Sequence, residues 1–439
     1  MQKHILIVSL FFYCFFLHGQ IHPIVFIEYD LPNGLHVILH ADKSTPVVAI
    51  NIMYHVGSKD EPFDRTGFAH FFEHLMFEAT TNIRRGGIQE LINNAGGEFN
   101  AFTSFDKTVY YEILPSNQAA LGLWIEAERM TNLSIDSLSV ETQRNVIKEE
   151  RKYNYENQPY GSFQEKIFSS VFTQHPYHWI PIGKVQYIDQ AGIDEFQNFY
   201  NHFYTPANAS LTVCGDIDID SIKKIIDTYF GPINKTSIIK RQKYLELPKE
   251  KMLIDTVYDN IQIPAVFFTF PAPPAGGKDY YAMVLLKRLL ADGQSSLLYT
   301  NIIDKKALAV DVAAYQYALE DTGLLLIYGL PNQQVSVDDI KNAIQAEIEK
   351  IKQTSISDYD LQKIINQTEN SFYLQRSSME SIALLLGEYY TFHKNTSLIN
   401  NEINKYMEVS KEDIKRVANT YLTNRNSLLL YYLPKNTTP

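Results

Sequence analysis

The chain has 439 residues, 45 % of them hydrophobic and 20 % charged, a globular composition. That is more than one ordinary core accommodates, so two units of about 200 residues are expected. Fifty acidic against 39 basic residues give a net charge of −11, which argues against a nucleic-acid binder, and no Lys/Arg cluster offsets it.

The N-terminus, MQKHILIVSLFFYCFFLHGQ, places Lys3 before an apolar run from Ile5 to Leu17. This has the form of a secretory signal peptide over residues 1–20, and the run is shorter than the roughly 20 residues a membrane span needs. Removing it removes Cys14 and leaves Cys214 as the one thiol, so no internal disulfide forms and stability must come from burial. A bacterial periplasmic or secreted protein fits this pattern.

Residues 25–57 alternate apolar and polar in two runs, VFIEYDLPNGLHVILH and VVAINIMYHVG. The Pro-Asn-Gly between Leu31 and Leu35 signals a turn, so an antiparallel start to a sheet is expected. Helices follow near 66–79 and 87–94, strands within 98–114, and helices over about 116–131, 136–156 and 192–203. Asp136 is a plausible N-cap. A strand at Ala209–Cys214 and a helix at Ile219–Phe230 complete a first domain, residues 21–231. Residues 232–251 are rich in Lys and polar groups and read as a linker. A second domain, 252–439, then restarts the pattern: a strand at 263–270, a helix at 278–291, strands near 308–316 and 322–329, and helices at 337–353, 357–374 and 378–393. Its closing segment echoes 194–216. Tyr204 and Tyr421, Ser210 and Ser427, and Leu211 and Leu428 each lie 217 positions apart, as duplication of one α/β domain would leave them. The expected class is α+β, each domain a mostly antiparallel sheet packed by helices.

Within the first of these helices, residues 70–74 read His-Phe-Phe-Glu-His. His70 and His74, four apart, project from one helical face. Two imidazoles so placed suit a zinc ion, and Glu73 beside them can take a proton from an attacking water. With 12 His in the chain, such a pattern arises by chance with a probability of about 2 %. Catalytic zinc takes a third protein ligand. A carboxylate from the helix at 136–156 can supply it, where Val146, Ile147 and Glu150 share a face. Spacing alone leaves Glu141, Glu149, Glu150 and Glu156 open.

Three blocks, HFFEHLMF at 70–77, EFNAFTSFDKTVYYE at 98–112 and QRNVIKEERKYNYENQPYG at 143–161, resemble the pitrilysin/insulinase family of inverzincin metallopeptidases in order and spacing. The resemblance implies one Zn²⁺ on His70, His74 and Glu150, with Glu73 as general base. Where family members often carry a further Glu, seven residues before the ligand Glu, this chain has Gln143. The resemblance also implies that Asn100 and Ala101 sit on an edge strand that pairs with the substrate backbone, and that the two domains form half of a clamshell chamber. The second half lacks a His pair. The family's Arg and Tyr that steady substrate from the second domain align with Ile303 and Val310, neither of which can donate a hydrogen bond to an oxyanion. A zinc endopeptidase of unfolded peptides is therefore expected, acting as the metal-bearing subunit of a heterodimer whose homologous partner supplies the missing pair, with a homodimer as the other assembly. A non-catalytic peptide-binding or scaffold subunit is the other reading.

Overall fold

The computed structural model describes residues 23–235 and 239–435; the leader expected at 1–20 lies outside the described residues. The fold is mixed α+β, with two sheets packed by helices. The first sheet holds β1 (Ile27–Asp30), β2 (His36–Ala41), β3 (Val47–Tyr54), β4 (Glu98–Thr103), β5 (Thr108–Pro115) and β6 (Ala209–Gly215), in the order β1-β2-β6-β3-β5-β4. The second holds β7 (Leu253–Asp259), β8 (Ala265–Ala272), β9 (Ala309–Ala318), β10 (Gly323–Pro331) and β11 (Leu428–Pro434), in the order β7-β11-β8-β10-β9.

The order β2-β6-β3-β5-β4 is thus repeated as β7-β11-β8-β10-β9. The pairing repeats too: β2 is parallel to β6 and β7 to β11, while the other pairs are antiparallel. The expected turn joins β1 to β2, with Gly34 at φ 90°, a conformation that glycine adopts without strain.

The two halves exchange equivalent helices. Helix Phe163–Val171 leaves the first half and packs on the second sheet, where Phe163 stacks on Phe267 at 5.5 Å and Ser162 hydrogen-bonds Tyr432 at 2.7 Å. Helix Met379–His393 of the second half returns the contact, laying Ile382, Ala383 and Leu386 against Ile38, Ala49 and Cys214 of the first sheet. Burial of these faces makes the hydrophobic core continuous across the halves.

Several elements escaped the sequence reading. Helices Phe163–Val171, Val185–Gln190 and Leu398–Met407 had no expectation, and β7 follows directly on the linker, ahead of the strand expected at 263. The helix expected over 66–79 is regular only at Phe68–Leu75, and Val146 faces solvent although Ile147 is buried. Residues 239–249, in the stretch expected as a linker, form no helix or strand but are strapped down: Glu246 accepts from the N–H groups of Thr173, Gln174 and His175, and Lys249 donates to the carbonyls of Ser170 and Val171.

Candidate active site

Helix Phe68–Leu75 is fixed by its apolar face. Phe68 stacks on Phe196 at 4.7 Å and Phe72 on Phe199 at 5.3 Å, while Phe71 and Leu75 are also buried. Its N-terminus is held by Glu61, whose buried carboxylate accepts from the N–H groups of Gly67 (2.9 Å) and Ala69 (2.8 Å) and from Trp179 Nε1 (2.9 Å). Burial lifts the Glu61 carboxyl to about 8 against those three hydrogen bonds. With the phenyl groups inward, His70, Glu73 and His74 turn to the opposite side.

The second helix, Ser137–Arg151, is capped by Asp136, which accepts from Ser139 N–H at 2.8 Å. Ile147 anchors it in the core, and Glu150 follows one turn later on the side facing the histidines. Glu150 Oε2 lies 3.3 Å from His74 Nε2 and 3.6 Å from His70 Nε2. The other carboxylates left open by spacing are exposed and pair elsewhere: Glu141 with Arg144, Glu149 with Lys152, Glu156 with Arg151.

Donor atoms of His70, His74 and Glu150 lie within 4.8 Å of one another. Burial, with His74 adding to it, brings His70 down to about 4, so its imidazole is neutral near pH 7 and offers a lone pair. Burial also pulls His74 down, but the hydrogen bond to Glu150 and the charges of Glu73 and Glu150 outweigh it and leave His74 raised. The same hydrogen bond holds Glu150 below the usual carboxylate range. Two imidazoles and one carboxylate, gathered and partly desolvated, are a donor set that fits zinc.

Glu73 faces Thr103 at the end of the edge strand β4; burial raises its carboxyl, against the pull of Thr103 and His74. A cleft of about 450 Å³ is lined by His70, Glu73 and Glu150 together with Thr103, Tyr155 and Tyr317. Asn100 and Ala101 lie on the same edge strand but upstream of this cleft, and Asn100 Oδ1 accepts from Ala101 N–H at 2.8 Å. Ile303 packs on the second core and Val310 is exposed on β9, so neither lines the cleft. Sequence reasoning did not single out Thr103, Tyr155 or Tyr317. The first two fall inside the blocks already quoted, while Tyr317 reaches the cleft through the meeting of the two halves, which leaves no local signal.

Comparison with known proteins bears on this geometry. The family description "Insulinase (Peptidase family M16)" matches residues 36–179, and "Peptidase M16 inactive domain" matches residues 191–368. A zinc protease of Helicobacter pylori, PqqE, is 29 % identical over 410 residues, covering 92 % of each chain. The crystal structure of a protease from Helicobacter pylori superposes with a TM-score of 0.88 at 26 % identity, covering 94 % of this chain and all of that one. The periplasmic protease PqqL of Escherichia coli shares the fold, with a TM-score of 0.77 at 18 % identity; the match covers 93 % of this chain but 47 % of that one. The chain belongs to the insulinase family of peptidases, family M16.

Proposed function

We propose that this chain is a zinc-dependent endopeptidase that hydrolyses unfolded peptides, with His70, His74 and Glu150 holding the metal and Glu73 acting as general base. One observation carries the reading: three metal-competent donors gather within 4.8 Å of one another, and two of them share a cleft beside an edge strand with the half-buried Glu73 carboxylate. A zinc ion bound there supplies a Lewis acid that activates water near neutral pH. Glu73 takes the proton of the attacking water and returns it to the departing amine nitrogen. Thr103 holds the Glu73 carboxylate on the cleft side, and the free edge of β4, through Asn100 and Ala101, pairs with an extended backbone. Such pairing selects extended chains, so folded proteins are poor substrates.

Residues 21–231 are assigned as the metal-bearing domain, 232–251 as the linker and 252–439 as the second domain. With aliphatic side chains at Ile303 and Val310, the Arg/Tyr pair is assigned to a homologous partner subunit. A shared fold with PqqL, of which this chain spans about half, supports a site completed by a second such unit. The leader at 1–20 assigns the chain to the periplasm or exterior; no helix among the described residues is long and apolar enough to cross a membrane. The aliphatic pair also favours the second reading, a non-catalytic peptide-binding subunit. The test is to offer a chain as both a folded protein and an unfolding variant, with zinc, after chelation, and with zinc restored. Chelator-sensitive cleavage of the unfolded form alone supports the proposal; binding without cleavage, even with a homologous partner present, supports the scaffold.

A further inference from the structure

Gln143 and Glu78 form a layer behind His74. Gln143 Oε1 is 3.1 Å from His74 Nδ1, and Gln143 Nε2 hydrogen-bonds Glu78 Oε1. Glu78, 5 % exposed, is also ion-paired with Arg85, whose Nε lies 2.5 Å from Oε2 and whose Nη2 donates to Oε1 at 3.1 Å. These contacts determine hydrogen positions that heavy atoms alone leave open.

A carboxylate paired with a guanidinium is an acceptor only, so the NH₂ group of Gln143 must face Glu78. That turns the Gln143 carbonyl oxygen toward His74. A carbonyl oxygen is also an acceptor only, so His74 Nδ1 must carry a hydrogen. Nε2, which lies 3.3 Å from Glu150 within the donor set, is then the ring atom left to give up its hydrogen and bind a metal. Were the amide reversed, its NH₂ would demand a bare Nδ1, and the hydrogen on Nε2 would remove His74 from that set.

We infer that Glu78, acting through Gln143, holds a hydrogen on His74 Nδ1 and so reserves Nε2 for the metal, which makes Gln143 and Glu78 positioning residues for the metal centre. The inference rests on the reading of His74 as a ligand. It gives a role to the position where family members often carry a carboxylate. Here the charge stands one group further back, on Glu78, and the amide relays its preference. A carboxylate in direct contact accepts from the histidine without help, whereas an amide has two faces and needs Glu78 to choose between them.

The test uses the zinc-loaded chain, where ¹⁵N-edited spectra of the imidazole report how fast the His74 Nδ1–H exchanges with solvent, together with zinc affinity measured by competition with a chromophoric chelator. Glu78→Gln keeps the shape but removes the obligate acceptor, and Arg85, 41 % exposed, can turn to solvent. The expected result is faster solvent exchange of the His74 Nδ1–H and zinc binding weakened about 10–100-fold, as for other outer-layer partners. The double variant Glu78→Gln/Gln143→Glu restores both, because the carboxylate introduced at 143 accepts from His74 and from the new amide. Should Glu78→Gln melt out, Gln143→Leu removes the acceptor while leaving the Glu78–Arg85 pair, with the same loss expected. Unchanged Nδ1–H exchange and affinity in a folded Glu78→Gln or Gln143→Leu variant, or a double variant no better than the single, overturn the inference. Failure of the metal reading is separate: there the wild type itself takes up no zinc, and His74→Ala changes nothing.

Discussion

The tip of the β9–β10 hairpin in the second half is locked into the first half by a buried charge cluster, and breaking it at Lys59 has a calculable cost. Lys59 Nζ lies 3.0 Å from Asp106 Oδ1 and 3.7 Å from Asp321 Oδ2, and it also pairs with Glu320. The backbone joins in: Glu320 N–H donates to Asp106 Oδ2 at 3.0 Å and Asp321 N–H to the Tyr177 hydroxyl at 3.2 Å. Burial alone would lower the Lys59 ammonium, but Asp106 and Glu320 raise it above its ordinary value, so it is charged at any working pH. Lys59→Met keeps most of the volume and leaves Asp106 and Glu320 without their cation. Removing one partner of a buried pair costs about 3–5 kcal/mol, and the partial exposure of Glu320 and Asp321 places this case near the lower end. An unfolding entropy of about 2.1 cal/mol/K per residue over roughly 400 residues converts about 3 kcal/mol into a melting-point drop of about 3–4 °C for a cooperative transition. Calorimetry on Lys59→Met, Glu320→Gln and the double variant measures both the drop and the coupling, expected above about 1 kcal/mol for residues in one network. Ser104 and Leu319, in or beside the two meeting turns, also line the cleft, so peptide turnover should fall while zinc content holds. A Lys59→Met protein melting within 1 °C of wild type, or strictly additive single effects, refutes the reasoning.

Glu73→Gln should retain zinc and lose about 10²–10⁴ in turnover, measured on a quenched peptide with metal assayed in the same sample. The zinc-loaded chain alone should turn over peptide at a small fraction of the rate seen with a homologous partner; full-speed cleavage by the isolated chain removes the need for that partner. Burial works to raise Glu320, but the His55 hydrogen bond and the Lys59 charge hold it down at about 2, against an ordinary 4.5. A folded-state value below the unfolded one gives stability that is present above about pH 4.5 and lost as pH falls toward 2. The melting-point gap between wild type and Glu320→Gln should therefore be full at pH 7 and close between pH 4.5 and 2; a gap unchanged at pH 3 contradicts the assignment.

The sequence announced most of the regular elements because their faces are one-sided. Helix Gly87–Asn94 and the β1–β2 turn fall where periodicity and turn chemistry put them. Helix Phe163–Val171 stayed hidden because its apolar side is covered by the opposite half, and β7 because, as an edge strand, it buries none of its residues fully and breaks the alternation. In the site, spacing brought His70 and His74 to one face but could not choose among four glutamates; that choice depends on how Ile147 seats its helix. Gln143 was noted only as the wrong residue at its position, since Glu78 stands 65 residues away and their contact exists only in the fold.

The most direct test is elemental analysis of the purified chain, without its leader, beside His70→Ala, His74→Ala and Glu150→Ala variants that melt as the wild type does. One zinc per wild-type chain, and little or none in each variant, is the predicted result. Zinc retained at wild-type stoichiometry in any of the three would contradict the ligand set and, with it, the proposed peptidase.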